Sequence, residues 1–314
     1  MRRKVIISAP YMQGDIDRFR GIFGDENIQL HVPKVNERLS ETELLPIVGD
    51  VHGVICGDDR FTRKVLGAAK KLRVISKWGT GIDSIDREAA HELGIRICNT
   101  PNAFTTPVAD SVMAAILCFA RRTMWMDRAM KSGQWKKIPG VSLSECTLGI
   151  IGVGNIGRAV ARRAVAFGMA ILGNDPKLPS AEFLTETGMR MVTKDELLTK
   201  SDFVSVNCEL NATTIHLMSD KQFSLMSQTS FLINTARGPI VDEPALIRAL
   251  KAKRIAGAAL DVFETEPLPN DSPLMKMENV LLSPHNSNSS PAAWEHVHQN
   301  SIRNLLAGLK EVQR

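Results

Sequence analysis

From residue 4 onward, short apolar runs alternate with stretches whose apolar positions recur every three or four residues. Runs at 4–9, 28–32, 51–56, 73–76 and 95–98 read as strands. Between them, Ser40-Glu41-Thr42-Glu43 forms a capping box ahead of Leu44 and Ile47, and Thr62 is placed to cap a helix through Val65, Leu66 and Ala69. Strands separated by helices predict a parallel sheet. A longer helix is expected over about 106–122, burying Val108, Met113, Ala115, Ile116 and Phe119; it follows Asn99-Thr100-Pro101, where the proline marks a boundary between two lobes. Residues 121–146 are less regular. They carry Trp125, Met126 and Trp135 among lysines, which suits either a subunit interface or a surface arm packed on its own domain. A second series of strands is expected at 147–151, 169–173, 203–208, 230–234, 256–260 and 280–283. A terminal helix over 291–312, through Trp294, Val297, Ile302, Leu305 and Leu309, is placed to return to the first lobe.

The fold class is therefore α/β with doubly wound parallel sheets, and one turn in it points to a ligand. Gly152-Val153-Gly154-Asn155-Ile156-Gly157 follows an apolar run and opens a helical pattern through Ile156, Val160, Ala164 and Phe167. Such a strand, glycine turn and helix lets the backbone approach a pyrophosphate, with the free N–H groups and positive end of the helix facing the anion. The next apolar run closes at Asp175, where a carboxylate meets an adenosine ribose 2′-hydroxyl; a dinucleotide is expected, and NAD over NADP, since Asp175 repels a 2′-phosphate.

Composition narrows the setting. At 314 residues two domains are expected. The five cysteines, Cys56, Cys98, Cys118, Cys146 and Cys208, are odd in number and widely spaced, which disfavours a disulfide framework or a metal cluster and fits the cytoplasm. The opening residues run into a strand pattern without the long apolar segment of a signal peptide, and no apolar run approaches a membrane span. The net charge of +5 comes from lysines and arginines scattered among acids, so neither nucleic acid nor a membrane is expected as a partner.

Three residues at or after strand ends in the second half make a chemically complete set with the dinucleotide turn. Oxidising an alcohol to a carbonyl needs a base for the hydroxyl proton, a positive group to hold a carboxylate and polarise the oxygen, and a hydride acceptor. His285, after Ser283-Pro284, suits the base because its unperturbed pKa lies near neutrality. Glu266 would stabilise the imidazolium and orient the ring. Arg237 offers a planar fork of donors that matches a carboxylate.

With these motifs the chain resembles the D-isomer-specific 2-hydroxyacid dehydrogenase family, most closely its phosphoglycerate dehydrogenase branch in a short form without a regulatory domain. The resemblance runs through Lys77-Trp78-Gly79-Thr80-Gly81-Ile82-Asp83, Asn99-Thr100-Pro101-Asn102, the glycine turn, Asn234-Thr235-Ala236-Arg237-Gly238, Ala259-Leu260-Asp261-Val262-Phe263 and Ser283-Pro284-His285. It implies that Arg237, Glu266 and His285 are catalytic. Substrate contacts would come from Lys77, Gly79, Thr80, Gly81 and Arg237, with backbone N–H groups around Thr80 and Gly81 on the carboxylate. NAD would be held by Gly152, Gly154, Asn155, Ile156, Gly157, Asp175, Thr235, Ala236 and Asp261, the last on the nicotinamide amide.

The resemblance further implies a Rossmann cofactor domain over 99–285, inserted into a flavodoxin-like substrate domain of residues 1–98 and 286–314, with an active site in the cleft. A dimerisation arm over about 121–146 raises the interface reading and predicts a homodimer. The expected activity is hydride transfer between a D-2-hydroxy acid and its 2-oxo acid, as a D-3-phosphoglycerate dehydrogenase or a glyoxylate/hydroxypyruvate reductase. An NAD(H)-sensing protein resembling the C-terminal-binding corepressors is the non-enzymatic alternative, and turnover separates the two.

The chain departs from the phosphoglycerate branch at Gly57 and Lys77, where that branch carries arginines for the phosphate. Either Lys77 or Arg60 compensates, or the substrate has no phosphate and Asp58 and Asp59 are in keeping. The polar run at 286–290 also replaces a glycine-containing segment.

Overall fold

In the computed structural model, which describes residues 2–310, two parallel sheets are built from the expected runs. Residue 1 and the end of the predicted terminal helix beyond 310 lie outside the described residues. The chain divides into two units, Met1–Phe104 with Ser290–Arg314, and Thr105–Ser289.

The first unit contains β1 (Arg3–Ile7), β2 (Ile28–His31), β3 (Gly53–Cys56), β4 (Val74–Lys77) and β5 (Arg96–Cys98), ordered β2-β1-β3-β4-β5. All pairs are parallel, with Val5 opposite Gly53 and Cys56 opposite Lys77. β3 and β4 are buried along their whole length, as strands covered on both faces must be. One cover is an apolar cluster that includes Val48, Phe61, Val65 and Leu66. The other is the helix Pro291–Lys310, which approaches so closely that a Cβ on Gly308 would stand 2.6 Å from Val74 Cγ2. Both sequence-level caps form: Ser40 and Glu43 complete a capping box, and the Thr62 hydroxyl accepts from Val65 N–H. Residues 99–104 belong to this unit, where Thr100 N–H donates to Gly79 O at 2.8 Å and the Asn304 amide donates to Asn99 O at 3.1 Å.

The second unit contains β6 (Thr147–Ile151), β7 (Ala170–Asn174), β8 (Arg190–Met191), β9 (Phe203–Val206), β10 (Phe231–Asn234), β11 (Gly257–Leu260) and β12 (Val280–Leu282). Their order is β12-β11-β10-β9-β6-β7-β8, again all parallel. The sequence pattern does not show β8, because two residues at a sheet edge cannot display a period of two. The helix Thr105–Ala120 starts with Pro107 in its first turn, where a missing N–H costs nothing, and buries Val108, Met113, Ile116 and Phe119. Residues 121–146, expected to be less regular, contain the helix Thr123–Lys131. It has no fully buried residue, but Trp125 packs 6.0 Å from the Phe119 ring and lies under the Arg122 guanidinium at 5.2 Å. This part of the arm packs on its own unit, whereas Trp135 is 84% exposed.

Among the described residues no helix is long and apolar enough to cross a membrane. All five cysteines are free thiols.

Candidate active site

In open parallel sheets, ligands bind outside the carboxyl ends of the strands where the strand order reverses. In the second unit that place lies between β6 and β9, and the glycine turn stands there. Gly152 has φ of +91°, and a Cβ on it would meet Cys208 N at 2.5 Å, so only glycine fits the turn. A Cβ on Gly157 would strike the Gly152 carbonyl oxygen, which brings the helix Asn155–Ala166 hard against the strand end. Gly154 differs: nothing lies within 4 Å of its Cβ position. It caps the helix without any side-chain hydrogen bond, Gly154 and Asn155 are exposed, and Ile156 is half-buried. That combination leaves an open, positively polarised cradle at the start of the helix.

Asp175 follows β7 and reaches the same turn. Its carboxylate accepts from Val153 N–H at 2.8 Å and from Lys177 N–H at 2.7 Å, so it ties the turn down as well as presenting acceptors at the sheet edge. Past β10, the Asn234 side chain accepts from Ala236 N–H and donates to Arg237 O, which folds 235–237 into a fixed corner. The Thr235 hydroxyl in that corner is buried with no hydrogen-bond partner among the described residues. The same is true of Asn207 Oδ1, just past β9. Buried polar atoms are rarely left unpaired. Two such atoms on one sheet edge with an open glycine cradle fit a polar ligand such as a dinucleotide. The sequence pattern does not single out Asn207; its only signal is its place just past the end of the strand beside β6.

Two loops meet next to that corner. A Cβ on Gly238 would run into the backbone of Phe263, so the segment after Arg237 packs directly on the loop that carries Glu266. Arg237 Nη1 donates to Ala236 O at 2.9 Å. Glu266 Oε1 accepts from Phe263 N–H at 2.9 Å, while Oε2 lies 3.1 Å from His285 Nδ1. Both side chains are largely withdrawn from solvent, 18% exposed for His285 and 11% for Glu266. The structure thus brings Glu266 and His285 into one hydrogen-bonded pair across 19 residues of sequence.

His285 has φ of +50°, a left-handed conformation uncommon for a side-chain-bearing residue, and its backbone N–H donates to Asp261 O at 2.8 Å. The buried Asp261 carboxylate holds the rest of the loop, accepting from the Ser283 hydroxyl at 2.5 Å, Asn286 N–H at 2.8 Å and Ser287 N–H at 2.9 Å. The sequence suggested a ligand contact for Asp261; the scaffolding it provides is a tertiary feature.

In the first unit the expected substrate residues follow β4. Gly79 has φ of +122° and Thr80 is exposed, its hydroxyl donating to Thr100 O at 3.1 Å, while Gly81 is half-buried. The Asn99 amide donates to Thr80 O at 2.6 Å. Lys77 is buried beneath this turn. Its ammonium lies 3.1 Å from Asp58 Oδ1 and donates to Trp78 O at 3.2 Å. Trp78 is pinned from behind, its Nε1–H donating to His298 Nδ1 at 2.9 Å.

Residues 113–287 match the family described as D-isomer specific 2-hydroxyacid dehydrogenase, NAD binding domain. The chain is 41% identical over 290 residues to a glyoxylate reductase from Korarchaeum cryptofilum, spanning 90% of this chain and 87% of that protein. It is 40% identical over 259 residues to D-3-phosphoglycerate dehydrogenase from Methanocaldococcus jannaschii, spanning 81% of this chain but 49% of that longer protein. Among solved structures, D-lactate dehydrogenase from Aquifex aeolicus, complexed with NAD and lactic acid, superposes with a TM-score of 0.89 at 26% identity, covering 98% of this chain and 96% of the other.

Proposed function

Because the chain belongs to the D-isomer specific 2-hydroxyacid dehydrogenases, we propose that Arg237, Glu266 and His285 are the catalytic set with which it interconverts a D-2-hydroxy acid and its 2-oxo acid. It is an NAD-dependent oxidoreductase, and NAD, when bound, supplies the carbon that takes up or returns hydride. The observation that carries the proposal is the bond of 3.1 Å between Glu266 Oε2 and His285 Nδ1. With Nδ1 held by the carboxylate, proton exchange with the substrate hydroxyl falls to Nε2. Glu266 favours the imidazolium that forms when the base takes that proton. Arg237 engages the substrate carboxylate and the oxygen that gains charge through its planar guanidinium. Backbone N–H groups at Thr80 and Gly81 are proposed as further carboxylate donors, with Lys77 and Gly79 shaping their turn.

The dinucleotide is proposed to rest on Gly152, Gly154, Asn155, Ile156 and Gly157, with Asp175 on the ribose and Thr235 and Ala236 along its path. Asp261 is proposed to serve the nicotinamide amide as well as the histidine loop. Glyoxylate or hydroxypyruvate is the substrate supported by the near full-length likeness to an archaeal glyoxylate reductase. A 3-phosphorylated acid is the second reading, supported by the likeness to phosphoglycerate dehydrogenase. The exposed Trp135 and Met130 on the arm support a homodimer, and five free thiols support a reducing cytoplasm.

His285→Ala tests the assignment. Its turnover in NADH-dependent reduction of a 2-oxo acid should fall about a hundred- to ten-thousand-fold, the usual worth of general acid–base catalysis, while NADH binding measured by fluorescence persists. A fully active variant would remove His285 from the mechanism.

A further inference from the structure

We propose that Asp58 is a specificity-determining residue that turns the substrate loop against phosphorylated 2-oxo acids and fits it to small unphosphorylated ones. The inference rests on the reading that residues 77–81 meet the substrate, and it deepens that reading by naming the substrate class.

The strand order of the first unit reverses between β1 and β3. Asp58 and Asp59 follow β3, Ser8 follows β1, and Lys77 ends β4, so all four stand at the carboxyl edge where such a sheet takes ligands. Among the described residues Lys77 is the one buried lysine or arginine. Its ammonium lies 3.7 Å from where a Cβ on Gly79 would be, directly behind the turn. On charge alone it would draw a phosphate to that turn. It is instead matched by Asp58 at 3.1 Å, with Trp78 O taking another of its donors at 3.2 Å.

The next residue strengthens the effect. Asp59 is fully buried, accepting from Leu39 N–H at 2.6 Å and from the Ser8 hydroxyl. Burial pushes its carboxyl up to about 6, which still leaves it mainly ionised at neutral pH. One ammonium against two carboxylates gives this edge a net negative charge. Arg60, the next cation along the chain, is exposed. A phosphate monoester carries roughly −1.5 to −2 at pH 7, so it would meet two like charges for each opposite one. Like-charge juxtaposition is an effective way to exclude a ligand. A substrate whose only anion is its carboxylate needs no more than backbone N–H donors and escapes that cost.

The test compares kcat/KM for hydroxypyruvate and 3-phosphohydroxypyruvate, which differ only in the phosphate, in NADH oxidation by the full chain. The wild type should prefer hydroxypyruvate. Asp58→Asn should raise the relative use of the phosphorylated acid by at least about tenfold, through a lower KM for it. Lys77→Met leaves the carboxylates unopposed and should shift the ratio the other way, while the double variant should return towards the wild type. Asp58→Asn strands a buried ammonium and can fail to fold. Lys77→Met strands a partly exposed carboxylate, and its ratio then decides alone. A wild type that favours the phosphorylated acid, or ratios within twofold of wild type in the variants, would overturn the inference while leaving the reaction class intact. Absence of NADH oxidation with glyoxylate, hydroxypyruvate and 3-phosphohydroxypyruvate would instead sink the functional reading itself.

Discussion

Asp59 shows how a single buried carboxylate sets a pH dependence. Its two hydrogen-bond donors favour the ionised form, but burial outweighs them and raises the acid from 3.8 to about 6. An acid whose pKa is higher in the folded than in the unfolded chain binds more protons when folded, so stability declines as pH rises between those two values. A shift of this size corresponds to an upper bound of about 3 kcal/mol. Asp59→Asn keeps an acceptor for Leu39 N–H and a donor for the Ser8 hydroxyl without the charge. Its Tm relative to wild type should therefore rise between about pH 4 and pH 6. A difference in Tm that stays flat over that range would show that the carboxylate is better solvated than its burial indicates. The residue types of the site were legible in the chain, because histidine, glutamate and arginine after strand ends suggest proton transfer and carboxylate binding. The pairing of Lys77 with Asp58 was not, since nothing in the sequence states which of several nearby charges share a contact.

At the level of elements, the loop over 283–287 is held largely by the residue that follows β11, through the Asp261 carboxylate and carbonyl. Asp261→Asn replaces one acceptor oxygen by an NH2 group, which cannot receive the Ser287 N–H. Small misplacements of catalytic groups are costly, so turnover should fall by about tenfold or more. NADH affinity, read by fluorescence titration, should change much less. Weakened NADH binding with unaltered kcat would assign Asp261 to the cofactor alone. The long helix and most strands were legible because a period of 3.6 or 2 marks which face is buried. The two-residue β8 and the helix Thr123–Lys131 were not. The first is too short to show a period, and the second lacks a fully buried stripe.

For the whole molecule, the arm separates two roles that the sequence left open together. Trp125 is used within its own unit, against Phe119 and Arg122, whereas Trp135, Met130 and Val141 are exposed. A chain of 34.5 kDa should sediment at twice that mass, and Trp135→Asp should move the equilibrium towards the monomer without changing the far-UV spectrum. A dimer equally stable in that variant would remove Trp135 from the interface. The sequence by itself determined the α/β class, the glycine turn, and which side chains stand at strand ends, because these follow from local backbone geometry and from periodicity. Only the tertiary structure decided which of them touch: Gly157 against the Gly152 carbonyl, Gly238 against Phe263, Glu266 with His285, Asp261 beneath the histidine loop and Asp58 on Lys77. Periodicity reports that a face is buried and is silent about its partner, and the partner is what makes a glycine turn a cradle and a buried lysine one half of an ion pair.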